Sequence, residues 1–159
     1  MEIPNPKLTS LEELEERVKK WKEEGKRIVF ANGVFDLLHV GHVRYLKAAK
    51  REGDILIVGI NDDEASRQLK GFPRPLLSAK DRALLVASLE CVDYVFIYAG
   101  ENFQIPLKKL KPHIHAKGTD YTPETVPEKE VVASYGGEIR IVGDEKRHSS
   151  SEIIRKIKR

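Results

Sequence analysis

Apolar residues recur along this chain in two patterns. Short apolar or alternating stretches, Arg27–Ala31 (RIVFA), Ile55–Asn61 (ILIVGIN), Tyr94–Tyr98 (YVFIY), Ile114–Lys117 and Glu138–Val142 (EIRIV), predict five strands. Between them, three-to-four-residue spacing predicts helices over 42–51, 62–69, 78–90, 103–110, 128–135 and 149–157. Runs apolar on both faces, such as ILIVGIN, suit a parallel sheet covered by helices on either side. The alternation therefore predicts an α/β fold: a doubly wound, five-stranded parallel sheet with helices on both faces. Residues 1–26 are expected to be an irregular lead-in, with two prolines in the first nine positions, and then one helix. The capping-box pair Ser10 and Glu13 opens that helix, Leu11, Leu14, Val18 and Trp21 form its stripe, and Gly25 ends it. Residues 27–159 are read as a single domain.

Ligands of such sheets lie beyond the carboxyl ends of the strands. Asn32–His42, Asn61–Asp63, Lys117–Tyr121 and Gly143–Ser151 all follow predicted strands and hold the candidate chemistry. The richest segment is Asn32–Tyr45, NGVFDLLHVGHVRY. Asn32-Gly33 is read as breaking the first strand, and Gly33 permits a tight turn. His39 and His42 flank Gly41 at the expected start of a helix, where backbone donors and two imidazoles together can bind an anion. Asp36 offers a carboxylate able to hold Mg²⁺ or orient an acceptor. The plainer reading makes these histidines surface residues or caps. A zinc pair lacks a third ligand at local spacing. Neither GxxxxGK[ST] nor GxGxxG is present.

Composition narrows the field. One cysteine, Cys91, excludes an internal disulfide and any multi-Cys metal site. The 159 residues suit one domain, and 28 basic against 25 acidic residues give a net charge of +3. That surplus is local: residues 140–159 carry seven basic and three acidic residues, without the aromatic interleaving of a nucleic-acid surface, so nucleic acid is not an expected partner. No leader-like apolar segment opens the chain, and the longest apolar run, Ile55–Ile60, is far too short to span a membrane. A cytoplasmic location with no membrane association is the expectation. His113 and His115, either side of Ile114, read as packing or surface residues.

GVFDLLHVGH resembles the first motif of the HxGH nucleotidyltransferases, in their cytidylyltransferase-like branch. LKGFPRP (Leu69–Pro75), Asp81-Arg82, LECVDYV, KGTDY (Lys117–Tyr121), GGE and SSSEII, in this order, are similar to the adenylyltransferases that form ADP-heptose from heptose 1-phosphate. The resemblance covers about residues 8–158. It implies a Rossmann-like domain that transfers AMP from ATP to a sugar 1-phosphate and releases pyrophosphate, for lipopolysaccharide core synthesis. ATP is then a substrate and Mg²⁺ the implied cofactor. His39, His42 and Lys70 would be catalytic. Asn32, Gly33, Val34, Phe35, Gly41, Arg147, Ser149, Ser150 and Ser151 would bind nucleotide and phosphate. Asp36, Asn61, Asp63, Arg74, Lys117, Gly118, Asp120 and Tyr121 would shape the substrate pocket, with Lys70 ahead of Arg74 as a phosphate ligand and Asp36 a weak Mg²⁺ ligand. A homodimer is an expected assembly, and a separate sugar kinase an expected upstream partner. The alternatives sharing the first motif are a glycerol-3-phosphate cytidylyltransferase and a flavin adenylyltransferase. A non-catalytic nucleotide-binding module is the reading from another class. Two segments depart from the family pattern: KRHSSS precedes the last helix, where relatives commonly carry an acidic residue and a glycine before the hydroxyls, and Thr119 replaces a glycine.

Overall fold

The computed structural model describes residues 5–144 and 150–158. Its five strands, β1 (Ile28–Gly33), β2 (Ile55–Asn61), β3 (Tyr94–Tyr98), β4 (Ile114–Lys117) and β5 (Glu138–Ile141), form one parallel sheet in the order β3-β2-β1-β4-β5. The helices are α1 (Leu11–Glu23), α2 (Val40–Lys50), α3 (Asp63–Lys70), α4 (Ala79–Ala87), α5 (Gln104–Leu110), α6 (Lys129–Ser134) and α7 (Ser150–Ile157).

Side chains alternate across each strand, so each strand feeds two cores. Val29 and Ala31 of β1 pack with Leu56 and Val58 of β2 against Leu46 of α2 and Val86 of α4. Ile28 and Phe30 pack on the opposite face with Ile57, Leu14 of α1, Leu107 of α5 and Val132 of α6. All seven residues of β2 are buried, as its unbroken apolar run requires. This is the doubly wound, Rossmann-like α/β architecture expected. The connections after β1 and β2 return over one face, and those after β3 and β4 use the other. The switch lies between β1 and β4, where a crevice opens at the strands' carboxyl ends.

Three local expectations change. β1 runs through Asn32-Gly33 instead of stopping at Ala31, because both residues stay in register with Gly59 and Ile60 of β2. The lead-in is not wholly irregular: the Val95 N–H donates to the Lys7 carbonyl at 2.8 Å and the Thr9 N–H to the Val95 carbonyl at 3.0 Å, so Leu8 forms a bridge on the edge strand β3. Helix α2 starts at Val40, two residues before the expected His42, because an imidazole can cap it.

Candidate active site

A cavity of about 700 Å³ occupies the switch-point crevice, within the size range of small-molecule sites. Its walls come from the ends of β1, β2 and β4, the start of α2, the 69–74 segment and the first turn of α7.

The β1–α2 turn supplies the first wall. A Cβ on Gly33 would lie 2.8 Å from the Phe35 ring, so only glycine lets the chain pass this close. Phe35 sits at φ 49°, a conformation that costs a bulky residue about 1–3 kcal/mol. The strain is offset by burial of its ring, which meets the His42 ring edge-on at 5.2 Å. His39 is the N-cap of α2: its Nδ1 accepts the Gly41 N–H at 3.0 Å, while His42 Nδ1 accepts the His39 N–H at 3.2 Å. The two rings lie 3.9 Å apart. With both Nδ1 atoms accepting, a neutral ring carries its proton on Nε2. Each imidazole is thus fixed as an Nε2–H donor at a helix N-terminus, where the helix dipole already favours an anion. The capping role expected as the plain reading of these histidines and the anion-binding role are one geometry.

The second wall is a strap. The Arg74 side chain is 9% exposed and its Nε donates to Asp36 Oδ2 at 2.5 Å, while Nη1 reaches Ser151 Oγ at 3.2 Å. Asp36 is fully enclosed and also accepts the N–H groups of Leu76 (2.9 Å) and Leu77 (3.0 Å). Burial alone would raise the Asp36 carboxyl. The N–H groups of Leu77 and Leu76 and the Arg74 guanidinium outweigh it and hold the group below the ordinary carboxylate range. Lys70, at the exposed end of α3, also lines the cavity. Ser150 Oγ donates to the Leu37 carbonyl at 2.8 Å and ties α7 to the β1–α2 turn. Arg147 and Ser149 lie outside the described residues, as do Lys146 and His148.

The third wall belongs to β4. Lys117 is buried, with its ammonium 4.6 Å from the centre of the Tyr121 ring. Gly118, Asp120, Tyr121 and Glu128 line the cavity beside it. Burial lowers the Lys117 pKa, opposed by the charges of Glu128 and Asp120. Thr119, the departure in this loop, donates its hydroxyl to the Asp144 carbonyl at 2.9 Å and fastens the loop to the chain beyond β5.

The structure therefore gathers most of the sequence candidates, with two set apart. Gly41 lies within α2 and its N–H is used by His39. Asp63 is absent from the cavity lining: its Oδ1 accepts the Ala79 N–H and Arg82 Nη2, both at 2.8 Å. The carboxylate expected to meet a metal, Asp36, is filled by Arg74 and two backbone donors. Among the described residues no three His, Cys, Asp or Glu side chains come together as a metal cage.

The sequence assigns no site role to Arg82 or Glu128, and His115 reads there as a packing or surface residue. Arg82 is fully buried, and its guanidinium donates to the carbonyls of Leu77 (3.0 Å), Val34 (2.7 Å) and Asn61 (2.9 Å) as well as to Asp63. It joins the ends of β1 and β2 to the strap. Asp81-Arg82 was legible only as part of the family resemblance. His115 is buried and stacks on Phe30 with centroids 5.6 Å apart, and its Nε2 lies 3.6 Å from Glu128 Oε2. Nothing local in the sequence marks that pair.

Comparison with known proteins narrows the assignment. Residues 30–156 match the cytidylyltransferase-like family. The protein named "Bifunctional protein HldE" of Geotalea uraniireducens (strain Rf4) is 47% identical over 152 residues, 96% of this chain and 31% of that protein. Its Helicobacter pylori (strain J99) namesake is 48% identical over 157 residues, 98% of this chain and 32% of the relative. The chain thus spans about a third of the length of these relatives. The crystal structure of the lipopolysaccharide core biosynthesis protein from Thermoplasma volcanium GSS1 superposes with a TM-score of 0.64 at 29% identity, covering 76% of this chain and all of that one. A pantoate-beta-alanine ligase from Francisella tularensis shares the fold alone, with a TM-score of 0.64 at 16% identity over 95% of this chain and 76% of its own.

Proposed function

The chain belongs to the cytidylyltransferase-like family, and from that premise we propose that it is a nucleotidyltransferase that moves AMP from ATP to heptose 1-phosphate. The products are pyrophosphate and ADP-heptose, used in lipopolysaccharide core synthesis. The observation that carries the reading is the pair of imidazoles, His39 and His42, locked as Nε2–H donors at the N-terminus of α2 beside Lys70 and Arg74. Two neutral donors flanked by two cations suit a polyphosphate whose charge grows during reaction. The likeness to a lipopolysaccharide core biosynthesis protein supports the choice of sugar phosphate as acceptor.

In this reading an acceptor phosphate oxygen attacks the α-phosphorus in line, its bond to phosphorus forms as the bond to the β-phosphate bridging oxygen breaks, and the electron pair leaves with pyrophosphate. No covalent enzyme intermediate is needed. Catalysis comes from positioning and charge stabilisation. His39 and His42 hold the transferring phosphate, Lys70 and Arg74 the outer phosphates, and Ser150 and Ser151 extend that site at the first turn of α7. Asn32, Gly33, Val34, Phe35 and Asn61 shape the floor, and Lys117, Gly118, Asp120 and Tyr121 the opposite wall. Asp36 acts by positioning Arg74. Mg²⁺ is read as arriving with the triphosphate, since Asp36 is committed to Arg74. The acceptor already carries its phosphate, so a separate sugar kinase is the upstream partner we expect, and a homodimer is the expected assembly. Among the described residues no helix is long and apolar enough to cross a membrane.

Pyrophosphate release tests the proposal. ATP or CTP is supplied with Mg²⁺ and heptose 1-phosphate, glycerol 3-phosphate or FMN. Release is expected with ATP and heptose 1-phosphate. Release only with CTP overturns the adenylyl assignment, and binding without release with any pair identifies a non-catalytic module.

A further inference from the structure

Two charged side chains beside the β4 end of the cavity are buried with few protein partners. Lys117 is 8% exposed, and among the described residues no carboxylate lies within ion-pair distance of its ammonium, which meets only the face of Tyr121. Glu128 is 3% exposed and makes no side-chain hydrogen bond. Its Oε2 is covered and lies 3.6 Å from His115 Nε2, and the residue lines the cavity. Asn32, at the end of the neighbouring strand β1, adds a buried unsatisfied acceptor, Oδ1. Buried charges and acceptors without partners are costly, and a ligand that supplies the partners recovers that cost.

We propose that Glu128 and Lys117 form a subsite for adjacent hydroxyl groups of a bound ligand, with Glu128 the specificity-determining acceptor. The charges select this chemistry. A second phosphate or carboxylate would suit Lys117 but be repelled by Glu128, and a cation would meet the reverse. A hydroxyl both donates and accepts, so a pair of them satisfies the carboxylate and the ammonium together. The subsite also gives the cavity a direction. Phosphates lie towards the donors and cations of α2 and the strap, and the hydroxylated part lies towards β4. The hydroxyls come from the ribose of the nucleotide or from the acceptor sugar. This choice of ligands rests on the transferase reading above.

The test uses the whole chain and calorimetric binding, which needs no turnover. ATP is compared with its 2′-deoxy and 3′-deoxy forms, and heptose 1-phosphate with its 2-deoxy analogue, in wild type, Glu128→Gln and Glu128→Ala. Glu128→Ala is expected to weaken one parent ligand by about 10–100-fold, the span of a hydrogen bond to a charged group. It should weaken the matching deoxy analogue less than about 2-fold, with Glu128→Gln in between. The affected pair identifies ribose or acceptor as the source. Equal loss for parent and deoxy forms, no loss, a loss that follows the base, or no binding to wild type overturns the subsite. If Glu128→Ala does not fold, Glu128→Gln makes the same comparison. Turnover with an unchanged parent-to-deoxy ratio overturns the subsite alone. Selective binding without pyrophosphate release overturns the transferase reading and leaves the subsite standing.

Discussion

Replacing Asp36 by Asn tests how the strap is held. The carboxylate has no exposed surface and takes three donors: Arg74 Nε, Leu76 N–H and Leu77 N–H. Asparagine keeps the shape, loses the charge and turns an NH₂ group towards at least one of those donors. Removing one member of a buried ion pair typically costs about 3–5 kcal/mol, because the other charge stays buried and unpaired. For a domain of this size each kcal/mol moves the melting temperature by roughly 2–4 °C, so the expected drop is roughly 6–20 °C. Urea unfolding and thermal melting measure it. The double variant Asp36→Asn/Arg74→Met removes the stranded cation and should recover much of the stability, since apolar replacement of a buried pair is often neutral. Turnover should stay low, because Arg74 is gone. The pH dependence has a definite sign. The folded-state pKa of Asp36 is lowered, so its stabilisation is complete above the ordinary carboxylate range and is lost as the pH falls through the folded-state value. A loss below about 1 kcal/mol in Asp36→Asn, or a double variant no more stable than the single, would refute the clamp.

Other outcomes follow from the same geometry. His39→Asn should keep the helix cap while losing the imidazole, so turnover falls about 10²–10³-fold with stability nearly unchanged; His39→Ala should add about 1 kcal/mol of destabilisation in urea. His42→Ala should lose turnover on the same scale, and near-wild-type rates in both His39→Asn and His42→Ala would remove the histidines from the chemistry. Arg82→Met removes the side-chain donor from the Val34 and Leu77 carbonyls, while the Asn61 carbonyl keeps Ser66 Oγ and Asp63 keeps the Ala79 N–H; at about 1–3 kcal/mol for each unsatisfied group, urea unfolding should show about 2–6 kcal/mol lost. His115 has its pKa lowered by burial, with Glu128 opposing and Lys117 adding to the effect; the unfolded chain therefore takes up a proton that the folded protein resists. Stability should fall as the pH drops below about 6.5, by up to about 1.4 kcal/mol per pH unit from this group, and His115→Phe, stacked on Phe30, should flatten that slope in pH-dependent unfolding.

What the sequence revealed, and what it hid, divides by distance along the chain. The strands were legible because a doubly covered parallel sheet writes its burial into consecutive residues, and ILIVGIN is buried at every position. The first corner was legible for a similar reason: glycine, two histidines and a helix start lie within ten residues, so spacing alone brings them together. The start of α2 was misplaced because imidazole is not an ordinary cap, and only the Nδ1 contacts of His39 and His42 show that it serves as one. The rest depends on partners that local pattern cannot join. Asp36 meets Arg74 across 38 positions, and Arg82 reaches Val34 across 48. Lys70 and Arg74 both read locally as loop cations, with Lys70 ranked ahead, whereas burial makes Arg74 the more rigidly placed of the two. Glu128 follows the same logic, since before a short helix it looks like a surface acid. Only the fold brings it against His115 and into the wall that holds Lys117. A charged residue becomes informative once its burial is known, because a buried charge needs a partner, and where the protein supplies none the ligand is the partner to test.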